Sequence, residues 1–388
     1  MSRPTAAAPV ETAAFPRPRA NPHLEGQDAA ERSLLAAYSS GRLHHAWLIT
    51  GPAGIGKATL AFRFARFLLT AKVGQGALPA SEPSLFGEPG RAAAPESGLP
   101  PSLAIPPDHP VFRRVAAGGH ADLITVERAI NDKTGKLRSE IVVDDVRAVG
   151  GLIGHTPAEG GWRVVIVDAA DELNRNAANA LLKALEEPPV RTVLLLVSHA
   201  PGRLLPTIRS RCRRLALQPL TSGTVESLLR RYRPDLNETD RRTLAVLADG
   251  SIGRALGLAD ADGLAIHAEL SGLLARLPEL DMVALDRLGE RVGKAGGEPL
   301  FDLVESFLRD WLRRMVRYAA TEGEGGPAPT DPRERALLAR LAAAASLDRW
   351  LQVWENARDL LARVDSANLD RKQVMFTLLL DLQDAVRR

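Results

Sequence analysis

One cysteine, Cys212, serves the whole chain, which excludes an intrachain disulfide and any cysteine-built zinc cluster. Aromatic residues are scarce at 4%, while 45% of the chain is hydrophobic and Ala, Leu and Arg are abundant, a composition that favours packed helices. Neither sign of charge prevails. Lys and Arg number 50 against 47 Asp and Glu, a formal net charge of +3, so no global basic field announces nucleic acid and any such contact has to be local. No run approaches the ~20 consecutive apolar residues of a membrane span. Residues 1–20 are rich in Ala and Pro without the apolar core of a signal peptide, and read as a disordered tail. The expectation is a cytoplasmic protein of two or three domains.

What is present centres on His45-Ala46-Trp47-Leu48-Ile49-Thr50-Gly51-Pro52-Ala53-Gly54-Ile55-Gly56-Lys57-Ala58-Thr59-Leu60. An apolar strand feeds a glycine-rich turn and then a helix with Leu60, Phe64, Phe67 and Leu68 on one face. This is the context of a phosphate-binding loop, in which backbone N–H groups at Gly51, Gly54 and Gly56 and the ammonium of Lys57 converge on phosphate oxygens. The pattern G-x-x-x-x-G-K-[ST] is met through Lys57 and fails at its last position, because Ala58 has no hydroxyl for Mg²⁺. Thr59 stands one residue on, turned about 100° around the helix, a poor substitute that is kept among the candidate nucleotide-binding residues.

Downstream, Arg163 to Asp168 has the form of a Walker B strand, an apolar run ending in the carboxylate that would orient Mg²⁺ or its water. The next position, a glutamate in hydrolysing proteins of this layout, is Ala169; Asp171 and Glu172 lie too far on to replace it. Two catalytic positions are thus vacant independently. Leu123–Val126, Thr192–Val197 (delivering Ser198) and a strand near Leu215–Leu217 complete an alternation with helices that predicts a parallel, doubly wound sheet. Asp144 is the expected N-cap of a helix to Gly154, and Asn174 to Glu187 a helix ended by Pro188-Pro189. Residues 72–119, dominated by Gly, Pro, Ala and Ser, read as a flexible insertion. Beyond Pro219 the periodicity predicts only helices, at about 224–232, 239–248, 252–260, 264–276, 281–294, 299–319, 332–344, 347–364 and 368–386, with a connector at 322–327. The stripe of Trp350, Val353, Trp354, Ala357, Leu361 and Val364 reads as bundle core. Arg309, Arg313, Arg314 and Arg317 beside Trp311 read as a solvated face.

Three motifs carry a family resemblance: Gly51 to Lys57, Asn179-Ala180-Leu181-Leu182-Lys183-Ala184-Leu185-Glu186-Glu187-Pro188-Pro189, and Ser210-Arg211-Cys212. Together they resemble the clamp-loader branch of the AAA+ ATPases. Within it, His45-Ala46-Trp47-Leu48, Val167-Asp168-Ala169-Ala170-Asp171 and Asp370-Arg371-Lys372 look most like the delta-prime family of bacterial DNA polymerase III. The resemblance covers about residues 21–260, and the C-terminal bundle by its layout. It implies an α/β plus all-α protein: an AAA+ P-loop parallel-sheet domain (21–217), a small helical lid (218–275) and a C-terminal helical collar for oligomerisation (276–388).

By the same resemblance Asp168 is the Walker B aspartate and Ser198 the sensor-1 position. Arg254, in Gly250-Ser251-Ile252-Gly253-Arg254, is the sensor-2 arginine, and Arg211 is an arginine finger reaching a neighbouring subunit's ATP. The implied partners are delta and gamma/tau subunits in a five-subunit ring, the sliding clamp and primed DNA. ATP is the implied ligand, with Mg²⁺ binding weakened by Ala58 and no zinc. The chain is expected to be at most a weak ATPase and not itself a polymerase. Two other readings stand beside this one: a gamma/tau-type ATPase motor, which Ala58 and Ala169 disfavour, and a free-standing nucleic-acid-binding AAA+ regulator, which the balanced charge disfavours.

Overall fold

The computed structural model describes residues 15–71, 102–131, 135–154, 156–321, 332–364 and 366–387. Most of the 1–20 tail, residues 72–101 of the insertion and the 322–327 connector lie outside that range.

Five strands form one sheet: β1 (Ala46–Thr50), β2 (Leu123–Val126), β3 (Arg163–Asp168), β4 (Thr192–Ser198) and β5 (Arg213–Ala216). Every pairing is parallel, and the order is β2-β3-β4-β1-β5. Strand residues alternate between two cores, as the period of two demands. Trp47, Ile49, Val164, Ile166, Val193, Leu195 and Val197 pack on one face with α1 (Asp28–Ser39), α2 (Lys57–Thr70) and α3 (Pro110–Ala116). Leu48, Val165, Val167, Leu194 and Leu196 pack on the other with α4 (Val143–Gly154), α5 (Arg175–Glu186) and α6 (Pro206–Arg211). Such two-sided burial explains why these strands read as continuous apolar runs.

Helices continue the chain: α7 (Ser222–Tyr232), α8 (Glu238–Leu247), α9 (Ile252–Asp260), α10 (Gly263–Ala275), α11 (Met282–Gly293), α12 (Glu298–Ala320), α13 (Pro332–Ala344), α14 (Leu347–Ala362) and α15 (Arg371–Arg387). The chain divides into two compact units, one of residues up to Asn237 with Asp249–Arg254, the other of Glu238–Ala248 with Ala255 onward. In the second unit α12 packs on α14, where Trp311 meets Trp350 edge to face at 6.2 Å, and α11 packs on α15. Lys372 there bridges Asp286 at 2.9 Å and Glu290. The arginines beside Trp311 are indeed surface charges paired with their neighbours, Arg309 to Glu305, Arg313 to Asp310 and Arg314 to Glu334. Among the described residues no helix is long and apolar enough to cross a membrane.

Four local expectations are corrected. The fifth strand begins at Arg213, two residues early, because it is the sheet edge and its Arg213 and Arg214 stay exposed, hiding the apolar signal. Asp144 does not cap α4; Asp145 does that work, accepting from the Val142 N–H at 2.9 Å, while Asp144 pairs with Arg147. Residues 102–119 are not a flexible insertion. They carry α3, with Leu103, Val111 and Val115 in the core and Pro110 at its first position, where a missing N–H costs nothing. Nor is the tail loose to its end: Pro18–Ala20 form a short 3-10 helix tied down by Arg66, whose buried guanidinium donates to Arg19 O and Asn21 O, both at 2.9 Å.

Candidate nucleotide site

The site lies at the C-terminal edge of the parallel strands, where the loops after β1, β3 and β4 converge, the usual ligand crevice of an open α/β sheet. Gly51, Gly54 and Gly56 have positive φ of +145°, +72° and +99°, and Gly56 caps α2, whose first residue is Lys57. Gly54 has no room for more: a Cβ would stand 2.4 Å from Ser251 Oγ. Gln27, buried below the loop, donates to Ile55 O at 3.1 Å and Gln218 O at 3.0 Å and so ties the loop to the chain leaving β5.

A cavity of about 220 Å³ opens above the loop. Its phosphate-loop wall is Gly54, Gly56, Lys57, Ala58 and Thr59, with Asp168 and His199 beside them. The rest of its lining joins the apolar and aromatic Phe15, Leu228, Ile252 and Tyr232, whose hydroxyl donates to Asn21 Oδ1 at 3.3 Å, with the polar Asn21, His23 and Glu25. A phosphate loop and apolar, aromatic side chains thus line one cavity, the two kinds of surface that a nucleotide site needs.

Charges in the site are tuned by burial. Lys57 is 3% exposed, and its ammonium donates to Gly51 O at 2.7 Å and to Pro52 O. Burial lowers its pKa to about 8 against the opposing pull of Asp168 and Asp171. Asp168 is pushed up to about 6 by burial, with Glu127 adding repulsion and Lys57 countering it. Asp171 is pushed up by burial, but the nearby Ser198 side chain and the His199 N–H, which donates to it at 2.8 Å, outweigh this and hold it below the usual carboxylate range. His199 is lowered, first by burial and then by Lys57, which disfavours its charged form.

Of the residues singled out in the sequence, Gly54, Gly56, Lys57, Thr59 and Asp168 line the cavity, and Gly51 starts the loop beneath it. Ser198 does not line it. It is fully buried as the last residue of β4, and its neighbour His199 faces the cavity instead. Arg254 does not line it either; its backbone N–H donates to Ser251 Oγ at 3.1 Å. That segment is nonetheless fastened to the phosphate loop, through Ser251 Oγ to Ala53 O at 2.8 Å and Gly253 N to Gly54 O at 3.0 Å. Sequence reading missed Gln27, Asn21, His199 and Tyr232, which reach the site from far along the chain; only the position of His199 directly after an apolar strand hinted at it.

The residues fit a phosphate chain but not its magnesium ion. Ala58 offers a methyl where the metal ligand belongs, and Thr59, 7% exposed, points from the next helical position. Ala169, 4% exposed, leaves no carboxylate at the water-activating position.

Arg211 lies elsewhere, as the last residue of α6. Its Nη2 pairs with Glu186 Oε1 at 2.9 Å and its Nη1 donates to Thr207 O at 3.0 Å. Its neighbours serve the sheet edge: Arg213 stacks over Trp47 at 4.9 Å and Arg214 donates to Thr50 Oγ1 at 3.4 Å.

A family model described as DNA polymerase III, delta subunit, matches residues 108–221. The DNA polymerase III subunit delta' of Pseudomonas aeruginosa is 34% identical over 293 residues, covering 75% of this chain and 77% of that protein. The chain belongs to the DNA polymerase III delta-prime family. The subunit tau of Salmonella typhimurium is also similar, 30% identical over 74% of this chain, though the match spans only 40% of tau. Among solved structures, the RuvB Holliday junction branch migration motor of Thermotoga maritima aligns over 83% of this chain and 86% of its own, at 16% identity and a TM-score of 0.37. The fold of this delta-prime family member is read from its own sheet order.

Proposed function

We propose that this member of the DNA polymerase III clamp-loader subunits is a ring component that controls a neighbour's ATP hydrolysis while turning over little or none itself. In this reading Arg211 is presented in trans to the ATP of a gamma/tau-type subunit. The ring also holds a delta subunit, and the whole engages the sliding clamp and primed DNA. The observation that carries the reading is the placement of Arg211. Its side chain is 37% exposed at the end of α6, and it does not line the chain's own cavity, so its charge is available to another subunit. An arginine inserted in this way stabilises charge on a transferring phosphoryl group and is worth about 10³–10⁵ in rate. The chain's own site has Lys57 and the loop amides for phosphate but Ala58 and Ala169 where metal ligand and base would be, which supports ATP binding with weakened Mg²⁺ and slow turnover. Similarity to tau favours a second reading, an ATPase motor, which those same two alanines oppose.

The test is ATP hydrolysis by a reconstituted loader with clamp and primed DNA, comparing the wild-type chain with Arg211→Ala. A loss of about 10³-fold in stimulated turnover is expected, with the ring still assembled by size exclusion. Unchanged turnover in an assembled ring removes the finger and leaves a scaffold. Rapid ATP turnover by the isolated chain restores the motor.

A further inference from the structure

We propose that Glu186 is a positioning residue for Arg211, an inference that rests on the finger acting in trans. α6 has only six residues, and Arg211 ends it, so the helix alone leaves a long side chain free to sample many rotamers. Two contacts remove that freedom. The Nη1 group is tied back one turn to Thr207 O at 3.0 Å, and the Nη2 group is tied across to Glu186 Oε1 at 2.9 Å. The backbone of Glu186 is placed by α5, whose last residue it is, with Pro188-Pro189 stopping that helix from continuing. The α5 helix is held beside α6 by the shared apolar core of Leu181, Leu185, Leu204 and Ile208.

A guanidinium has five N–H donors in a rigid fork; the hydrogen bond to Thr207 uses one of them, and the Glu186 carboxylate faces Nη2 as an ion pair. Nε and the other Nη hydrogens have no acceptor among the described residues, so one edge can stay on Glu186 while another meets phosphoryl oxygens. The Glu186 and Arg211 side chains are 49% and 37% exposed, so the pair is solvated and orients the arginine without sequestering it. Glu186 stands inside the Leu185-Glu186-Glu187-Pro188-Pro189 run and Arg211 inside Ser210-Arg211-Cys212, so the pairing couples two of the most distinctive stretches of the sequence.

The experiment is a double-mutant cycle in the assembled loader with clamp and primed DNA, using wild type, Glu186→Ala, Arg211→Ala and the double variant. Stimulated kcat and the KM for ATP are measured, and size exclusion checks assembly. Glu186→Ala is expected to lower kcat about fivefold, the scale of an exposed ion pair, with KM unchanged and no further loss in the Arg211→Ala background. Glu186→Gln, which keeps an acceptor for Nη2, is expected to recover most of the rate, and carries the test if Glu186→Ala fails to join the ring. Full turnover in Glu186→Ala beside an impaired Arg211→Ala overturns the positioning role and leaves the finger standing. So does a rise in turnover, which would make Glu186 an inhibitory clasp, or an equal loss in both backgrounds, which would place its effect elsewhere. Wild-type turnover by Arg211→Ala defeats the finger itself, whatever Glu186 does.

Discussion

Lys57 has opposite pH dependences for ligand and for fold. Its pKa is lowered from 10.5 to about 8 by burial, and Asp168, Asp171 and His199 are the titrating groups around it. Phosphate binding needs the ammonium, so affinity for ATP is expected to fall as pH rises through 8, by about tenfold between pH 7 and 9. Proton uptake should accompany binding above pH 8, measurable by titration calorimetry in two buffers of different ionisation enthalpy. The fold responds the other way. The unfolded chain keeps this proton up to its ordinary 10.5, so the native state gives it up first and the burial cost of Lys57 is relieved between pH 8 and 10.5. A flat affinity across pH 7–9 would mean that Lys57 does not meet the ligand. The lysine itself was legible in sequence because six contiguous residues define it. Its altered acidity was not, since burial sets it, and both the packing around Lys57 and the opposing Asp168 and Asp171, more than a hundred residues on, are supplied by the fold.

Among the elements, α9 offers a paired test of contact against propensity. Replacing glycine by alanine inside a helix stabilises by about 0.5–1 kcal/mol when the new methyl meets nothing. Gly257 is such a place, with open space where its Cβ would go, and Gly257→Ala should raise stability by that amount in urea unfolding. Gly253 is in the same helix, but its Cβ would fall 2.9 Å from Gly54 Cα, against the backbone of the phosphate loop. Gly253→Ala should therefore destabilise by about 1–3 kcal/mol and weaken ATP binding, because Gly253 N can no longer sit 3.0 Å from Gly54 O. Equal effects of the two substitutions would refute the close approach. The periodicity of α9, as of α10 to α15, was readable because each helix buries one stripe. α3 escaped notice because Val111, Phe112 and Val115 sit at the end of a proline-rich stretch that masks a helix start, although His109 and Pro110 form a recognisable one.

For the molecule as a whole, the formal charge of +3 sets the scale of its contact with nucleic acid. With Arg309, Arg313 and Arg314 each engaged by a carboxylate, the isolated chain is expected to bind primed duplex weakly, losing roughly tenfold or more in affinity from about 50 to about 200 mM salt. Tight binding at the higher salt, by fluorescence anisotropy, would favour a free-standing DNA-binding regulator over a ring component. The sequence by itself determined the alternation that builds a parallel sheet, the helical second half, the phosphate loop with its missing hydroxyl, and the motif holding Arg211. These are local patterns, written in residues a few positions apart and set by the periods of strand and helix. Only the tertiary structure decided that His199, not Ser198, faces the cavity, since Ser198 ends β4 inside the core while His199 begins the loop beyond it, and the burial of each depends on what packs there. It alone brought Gln27, Asn21 and Tyr232 to the site, laid Gly253 on Gly54, and set Glu186 against Arg211. Those pairings join residues that are remote along the chain, and packing of the shared cores is what makes them neighbours.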